Sequence, residues 1–128
     1  MTSGIRTISP GNMAPPGGHY SHAVVAAGLV FVSGQLPINP AGERLNNASF
    51  EEQALQTLSN VQAALEAAGS SVAQLVQVRV YITSIDNWPA FNRLYADWAG
   101  PSLPARAVVP VPALHYGFAI EVEAVAAV

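Results

Sequence analysis

Apolar and polar positions along this chain follow two different periods, and the switches between them predict the order of its elements. From Phe50 the apolar positions Leu55, Leu58, Val61 and Leu65 recur at helical spacing, between a capping box of Ser49 and Glu52 and a terminating Gly69. This predicts an amphipathic helix of about five turns. The period then drops to two: Val76, Val78, Val80 and Ile82 alternate with Gln77, Arg79 and Tyr81, the signature of a strand buried on one face. Trp88, Phe91, Leu94, Tyr95 and Trp98 return to helical spacing and predict a second helix starting near Asp86-Asn87. Pro89 is tolerated in its first turn, where the N–H groups have no intrahelical partner anyway, and the aromatics read as core.

Shorter patterns fill in the rest. Residues 22–26 and 29–33 are apolar runs on either side of Ala27-Gly28, a tight β-hairpin, with Ser33-Gly34-Gln35 ending its second strand. Residues 36–42 are rich in Pro, Asn and Gly and read as a loop. The run Gly100-Pro101-Ser102-Leu103-Pro104 breaks the second helix, residues 105–111 are again extended, Pro112 favours a turn, and residues 118–125 form a last strand. The first eighteen residues hold Pro10, Pro15 and Pro16 without periodicity and predict an extended arm or loop rather than an element. The order β-β-α-β-α-β-β suits one α+β domain spanning residues 1–128, a single mixed β-sheet with two helices packed on one face. On the last strand Phe118, Ile120, Val122 and Ala124 point one way and Glu121 and Glu123 the other, so the second face is not simply apolar core.

Composition narrows the chemistry. All five cations are arginines (Arg6, Arg44, Arg79, Arg93 and Arg106), and there is neither lysine nor cysteine. Lysine Schiff bases, P-loop lysines, thiol nucleophiles and thiolate metal sites are therefore excluded. A net charge of −3 with scattered arginines provides no basic stripe for phosphates, which argues against nucleic acid as the main partner. Neither a signal peptide nor a long apolar run is evident, so a soluble cytoplasmic protein with no membrane association is expected. Charged residues make up only 10% of the chain, against about 25% in typical soluble domains, so much of the surface must be uncharged. Burial in an oligomer would account for this, and so would an Ala-rich composition.

Arg106 stands in an otherwise uncharged stretch and needs an anion, either a small carboxylate ligand or Glu121 or Glu123 on a nearby strand. Glu121 and Glu123, two residues apart, share a sheet face, where a carboxylate could orient or deprotonate a water or else serve an interfacial salt bridge. His19, His22 and His115 lack ligand spacing, so no metal is expected. Ser33 could bond a ligand or simply form a turn, and no dinucleotide, Walker or Gly-x-Ser-x-Gly motif occurs.

The whole ordered set of motifs resembles one family. Phe31-Val32-Ser33-Gly34-Gln35-Leu36-Pro37, Asn39-Pro40 with Gly42-Glu43, residues 53–60, Glu66-Ala67-Ala68-Gly69, Val80-Tyr81-Ile82, Phe91-Asn92 with Tyr95, Pro104-Ala105-Arg106 and Ile120-Glu121-Val122-Glu123-Ala124 are similar to the Rid (reactive intermediate deaminase) family, also called YjgF. The match runs from about Gly17 to the C-terminus. The resemblance implies a chorismate-mutase-like fold and a homotrimer with a central barrel, with ligand clefts between subunits. It also implies cofactor-independent hydrolysis of small-molecule enamines or imines to 2-oxo acids or ketones and ammonia. On that footing Arg106 would grip the substrate carboxylate and Glu121 would attend the attacking water, with Tyr20, Ser33, Gly34 and Asn92 lining the cleft.

Several cleft positions depart from the family pattern. The usual Gly-Pro-Tyr-Ser-Gln is Gly18-His19-Tyr20-Ser21-His22, a frequent cysteine is Val108, and a lysine-containing turn is Leu114-His115-Tyr116-Gly117-Phe118. These changes suggest a bulkier, more aromatic cleft in which His115 or Tyr116 touches a larger, pathway-specific ligand. A non-catalytic trimeric module that binds a small carboxylate or a protein, and a cleft adapted to imine condensation or cyclisation, are the competing readings.

Overall fold

The computed structural model describes residues 4–128; the first three residues of the expected arm lie outside the described residues. In chain order the elements are β1 (Arg6–Ile8), β2 (Ala23–Ala26), β3 (Leu29–Gln35), α1 (Phe50–Ala67), β4 (Leu75–Ile82), α2 (Trp88–Ala99), β5 (Ala105–Pro110) and β6 (Ile120–Ala127). The strands form one six-stranded sheet in the order β1-β2-β3-β6-β4-β5. Neighbours are antiparallel except β4 and β5, which are parallel because α2 carries the chain back between them. Two helices on a mixed sheet is the expected α+β architecture.

Helix α1 starts where its capping box predicts. The Ser49 hydroxyl accepts the Glu52 N–H at 3.2 Å, and the chain leaves the helix through Gly69 at φ 83°, a conformation that favours glycine. Its inner face is Ala54, Leu58, Val61, Ala64 and Leu65, all fully buried in the same cluster as Val30, Val78, Val80, Ile120 and Val122 of the sheet. Leu55, expected on this face, is instead 53% exposed. It lies about 100° around the helix from Ala54, which holds the inward position.

In α2, Phe91, Tyr95 and Ala99 form the buried stripe, with Leu94 and Trp98 packed partly against it. Trp88 does not join the core as expected: on the first turn it lies beyond that stripe and stays exposed. Trp98 Nε1 donates to Gln62 Oε1 at 3.2 Å and ties the two helices together.

The hairpin turn is the expected Ala27-Gly28, with φ of 54° and 77°, as a two-residue turn matching the right-handed strand twist requires. The N-terminal arm and the last strand differ from expectation. Arg6–Ile8, expected within a structureless arm, forms β1 by pairing its backbone with the edge of β2. β3 ends in Ser33-Gly34-Gln35, as expected, with a register shift against β6 between Val32 and Gln35. β6 begins at Ile120 rather than at residue 118, because its first partner on β4 is Ile82, the last residue of that strand.

Alternation in β6 divides the sheet into two faces. Ile120, Val122, Ala124 and Ala126 are buried on the helix side, and Glu121 and Glu123 lie on the other. The second face carries no helix and exposes Phe31 and Val109 alongside Tyr81. There Glu123 Oε1 accepts the Tyr81 hydroxyl at 2.5 Å and lies 3.9 Å from Arg79 Nη1. Among the described residues, no helix is long and apolar enough to cross a membrane.

Candidate active site

At the β3–β6 junction a cleft of about 730 Å³ opens between the sheet, the N-terminal arm and two loops. Glu121 forms part of its wall, and the bulge in β3 sets its place. A Cβ on Gly34 would stand 3.0 Å from Glu121 Cδ and 3.4 Å from Cγ, so only glycine lets the carboxyl lie against the β3 backbone. Burial there pushes the Glu121 carboxyl above its usual range, an effect that nearby Glu123 reinforces and His115 opposes. A carboxylate raised in this way is a better base near neutral pH than an exposed one.

Ser33 precedes Gly34 in the bulge. Its hydroxyl donates to the Ser21 carbonyl at 2.6 Å, which leaves its oxygen lone pairs for the cleft. Tyr20 comes from the arm, half exposed, its hydroxyl accepting the Gly17 N–H at 3.3 Å. His22 holds the arm in place: Nε2 lies 2.7 Å from the Ala14 carbonyl and Nδ1 lies 3.1 Å from Gln35 Nε2. Both ring nitrogens of this buried histidine are thus engaged in holding the arm. His115 and Tyr116 enter from the turn before β6, and Tyr116 takes a left-handed φ of 60°.

The cleft thus brings together six of the residues singled out from the sequence: Tyr20, Ser33, Gly34, His115, Tyr116 and Glu121. Arg106, Asn92 and Val108 are elsewhere. In the parallel β4–β5 register Arg106 aligns with Val78 and Val108 with Val80, both on the helix face, whereas Glu121 aligns with Tyr81 on the opposite face. Side chains three positions apart on one strand point to opposite faces, so Arg106 and Glu121 leave the sheet on opposite sides.

Arg106 is held by neutral groups only. Nη1 donates to Asn92 Oδ1 at 3.0 Å, and its Cζ lies 4.9 Å from the centre of the Tyr95 ring. Neither Glu121 nor Glu123 is its partner, which removes the intrachain ion pair weighed above; Glu123 faces Arg79 instead. The guanidinium is therefore preorganised, at the exposed edge strand of the sheet, with no carboxylate bound among the described residues.

Two contributors were not singled out from sequence. Tyr95 reads there as core and is buried, yet its ring also seats Arg106. Arg44, at the end of the loop after β3, lines the cleft with its guanidinium 3.6 Å over the Tyr116 ring. Its place at the end of a Pro- and Gly-rich loop was the available signal, since such loops commonly carry ligand contacts. No group of three or more His, Cys, Asp or Glu side chains that could hold a metal occurs among the described residues.

Comparison with known proteins follows the same lines. The family model described as Endoribonuclease L-PSP matches residues 11–128. A RutC family protein of Sinorhizobium fredii is 40% identical over 121 residues, covering 94% of this chain and 96% of its own. A goat (Capra hircus) protein named 2-iminobutanoate/2-iminopropanoate deaminase is 36% identical over 127 residues, covering 98% and 93%. The solved structure of a Rid family protein, YyfA of Yersinia pestis, superposes with a TM-score of 0.92 at 36% identity and covers 97% of this chain and 99% of that one.

Proposed function

The chain belongs to the YjgF/RutC/Rid family, and from that membership and the chemistry of its cleft we propose that it hydrolyses reactive 2-imino acids and their enamine tautomers to 2-oxo acids and ammonia. The observation that carries this reading is a guanidinium fixed by Asn92 and Tyr95 yet unpaired with any carboxylate among the described residues, together with a carboxyl that burial has made more basic. The first suits a substrate carboxylate, which it can grip through two parallel hydrogen bonds. The second suits a water.

The reaction asks for little else. Glu121 takes a proton from the water as its oxygen adds to the imine carbon, giving a tetrahedral carbinolamine. That proton passes to the nitrogen, the carbinolamine hydroxyl then gives up its own proton to the same nitrogen through Glu121, the C–N bond breaks, and the carbonyl forms as ammonia departs. The imine carbon is already polarised, so positioning and one base suffice and no cofactor is required.

Since Arg106 and Glu121 lie on opposite faces of the sheet, the complete site is built between two copies of the chain: Glu121, Ser33 and Tyr20 from one, Arg106 and Asn92 from the next. A homotrimer whose helix-free sheet faces line a central barrel fits this, and it would cover the exposed Phe31 and Val109. It also accounts for a surface poor in charge.

The test is a coupled assay in which an amino acid oxidase releases 2-imino acids and semicarbazide traps what is not hydrolysed. Wild type should divert imine from the trap, and Arg106→Ala should lose about 10- to 100-fold in kcat/KM, as expected for one charge-assisted pair. Binding of 2-oxo acids without turnover of any imine would instead mark a carboxylate-binding module.

A further inference from the structure

The reaction proposed above uses one arginine, but the cleft holds another that it does not use. Arg44 follows the turn at residues 39–43, where Asn39 Oδ1 accepts the N–H groups of Ala41 and Glu43 at 3.1 and 2.9 Å. Asn39 Nδ2 in turn donates to Glu43 Oε1 at 2.9 Å, so the carboxylate next in sequence to Arg44 is engaged in the turn. The base of this loop is fixed by Asn60, whose Nδ2 donates to the carbonyls of Leu36 and Ile38 at 3.0 and 2.9 Å. A bridge between Ile38 and Arg44 closes it.

Tyr116 is just as firmly placed. Its ring stands edge-on to the buried Phe118 at 5.7 Å, and its left-handed backbone turns it toward the cleft, where Arg44 covers one face at 3.6 Å. That stacking has two consequences. The covered face is closed to an aromatic ligand. The guanidinium, bound through its flat face, keeps its in-plane N–H donors free. No carboxylate of the described residues pairs with it.

We propose that Arg44, seated on Tyr116, is a second carboxylate subsite, so that the preferred ligands of this cleft are dicarboxylates: 2-imino acids whose side chain ends in its own carboxylate. A planar fork with free in-plane donors matches a carboxylate in geometry and charge. The added positive charge also offsets the repulsion that Glu121 imposes on a doubly anionic ligand. The turnover part of this inference rests on the imine-hydrolysis reading; the binding part does not.

The experiment has two arms, run on wild type, Arg44→Gln and Arg44→Lys. Calorimetry compares 2-oxoglutarate with 2-oxobutanoate, and the coupled assay compares imines released from glutamate and from alanine. Wild type should bind 2-oxoglutarate about 10- to 100-fold more tightly, Arg44→Gln should erase that preference while leaving 2-oxobutanoate unchanged, and Arg44→Lys should restore part of it. Turnover of the glutamate-derived imine should fall in parallel. Equal binding of the two acids by wild type, or equal weakening of both by Arg44→Gln, overturns the subsite. If neither imine is hydrolysed but the binding preference holds, the subsite stands and the hydrolytic reading falls. Arg44 is exposed and the core is untouched, so the variants should melt as wild type does.

Discussion

Replacing Gly34 by alanine tests whether the β3 bulge places the carboxyl of Glu121, the proposed base. Gly34 has no left-handed φ, so its backbone accepts alanine, and the smaller entropy of the unfolded chain favours the variant by about 0.4–1 kcal/mol. Against this, the new methyl would meet Glu121 at 3.0 Å from Cδ, with a carboxylate oxygen closer still. A rigid neighbour would make such overpacking cost about 1–3 kcal/mol, but the end of a glutamate side chain can rotate away. The two effects nearly cancel, and Tm should change by no more than about 5 °C in a domain of this size. Activity should respond very differently. Rotating the carboxyl off the methyl moves it by about 1 Å or more, a displacement worth on the order of 100-fold in kcat. The oxidase-coupled assay measures kcat and differential scanning fluorimetry measures Tm. The double variant Gly34→Ala with Glu121→Gln should be no slower than Glu121→Gln alone, because both changes remove the same group. Gly34→Ala with kcat within about twofold of wild type would refute the reasoning, since a base so close to the bulge could not tolerate the methyl.

Two further outcomes follow from burial. Because the folded state raises the Glu121 pKa above its ordinary 4.5, folding binds a proton between the two values, and the charged carboxylate weakens the fold above the raised value but not below the ordinary one. Glu121→Gln should therefore melt higher than wild type near neutral pH, by roughly 3–5 °C per kcal/mol relieved, with the gain vanishing as the pH approaches about 4; a gain that grows toward acid pH would contradict this. Leu58→Ala, at a fully buried site, should cost about 2–5 kcal/mol in urea unfolding, whereas Leu55→Ala, at an exposed one, should stay within about 0.5 kcal/mol, and equal midpoints would contradict the helix orientation.

What could be read from the sequence was what repeats locally. The capping box and Gly69 bracket α1, Pro89 and Gly100 bracket α2, and the period-two run gives β4 within a residue of its start, because each signal is a backbone requirement of its own element. β1 carried no such signal: three residues held by backbone bonds to an edge strand need no particular side chains. The start of β6 was set by where its partner β4 ends, which the pattern of β6 cannot encode. Leu55 and Trp88 show the same limit, since hydrophobicity marks a stripe only to within a residue or one turn. In the site, six of the candidates do meet in one cleft, but that Arg106, Asn92 and Val108 stand apart from them within one copy was not legible from the pattern. Whether Arg106 and Glu121 share a face depends on the β4–β5 and β4–β6 registers, which only the assembled sheet reveals. For Arg44 only its loop was a signal, since its partner Tyr116 lies far away in sequence and the two meet only across the cleft.

The central claim is that one catalytic cleft draws Arg106 and Glu121 from different copies of the chain, and complementation measures this directly. Arg106→Ala and Glu121→Gln proteins, each strongly slowed alone, are mixed in equal amounts, dissociated and reassembled, and then assayed for imine hydrolysis. If each cleft takes its arginine from one subunit and its glutamate from the next, random mixing leaves both groups intact in about a quarter of the clefts, and activity should recover to about a quarter of the wild-type value. Recovery no greater than that of the separate variants, in a mixture shown by mass spectrometry to contain mixed oligomers, would contradict the shared cleft.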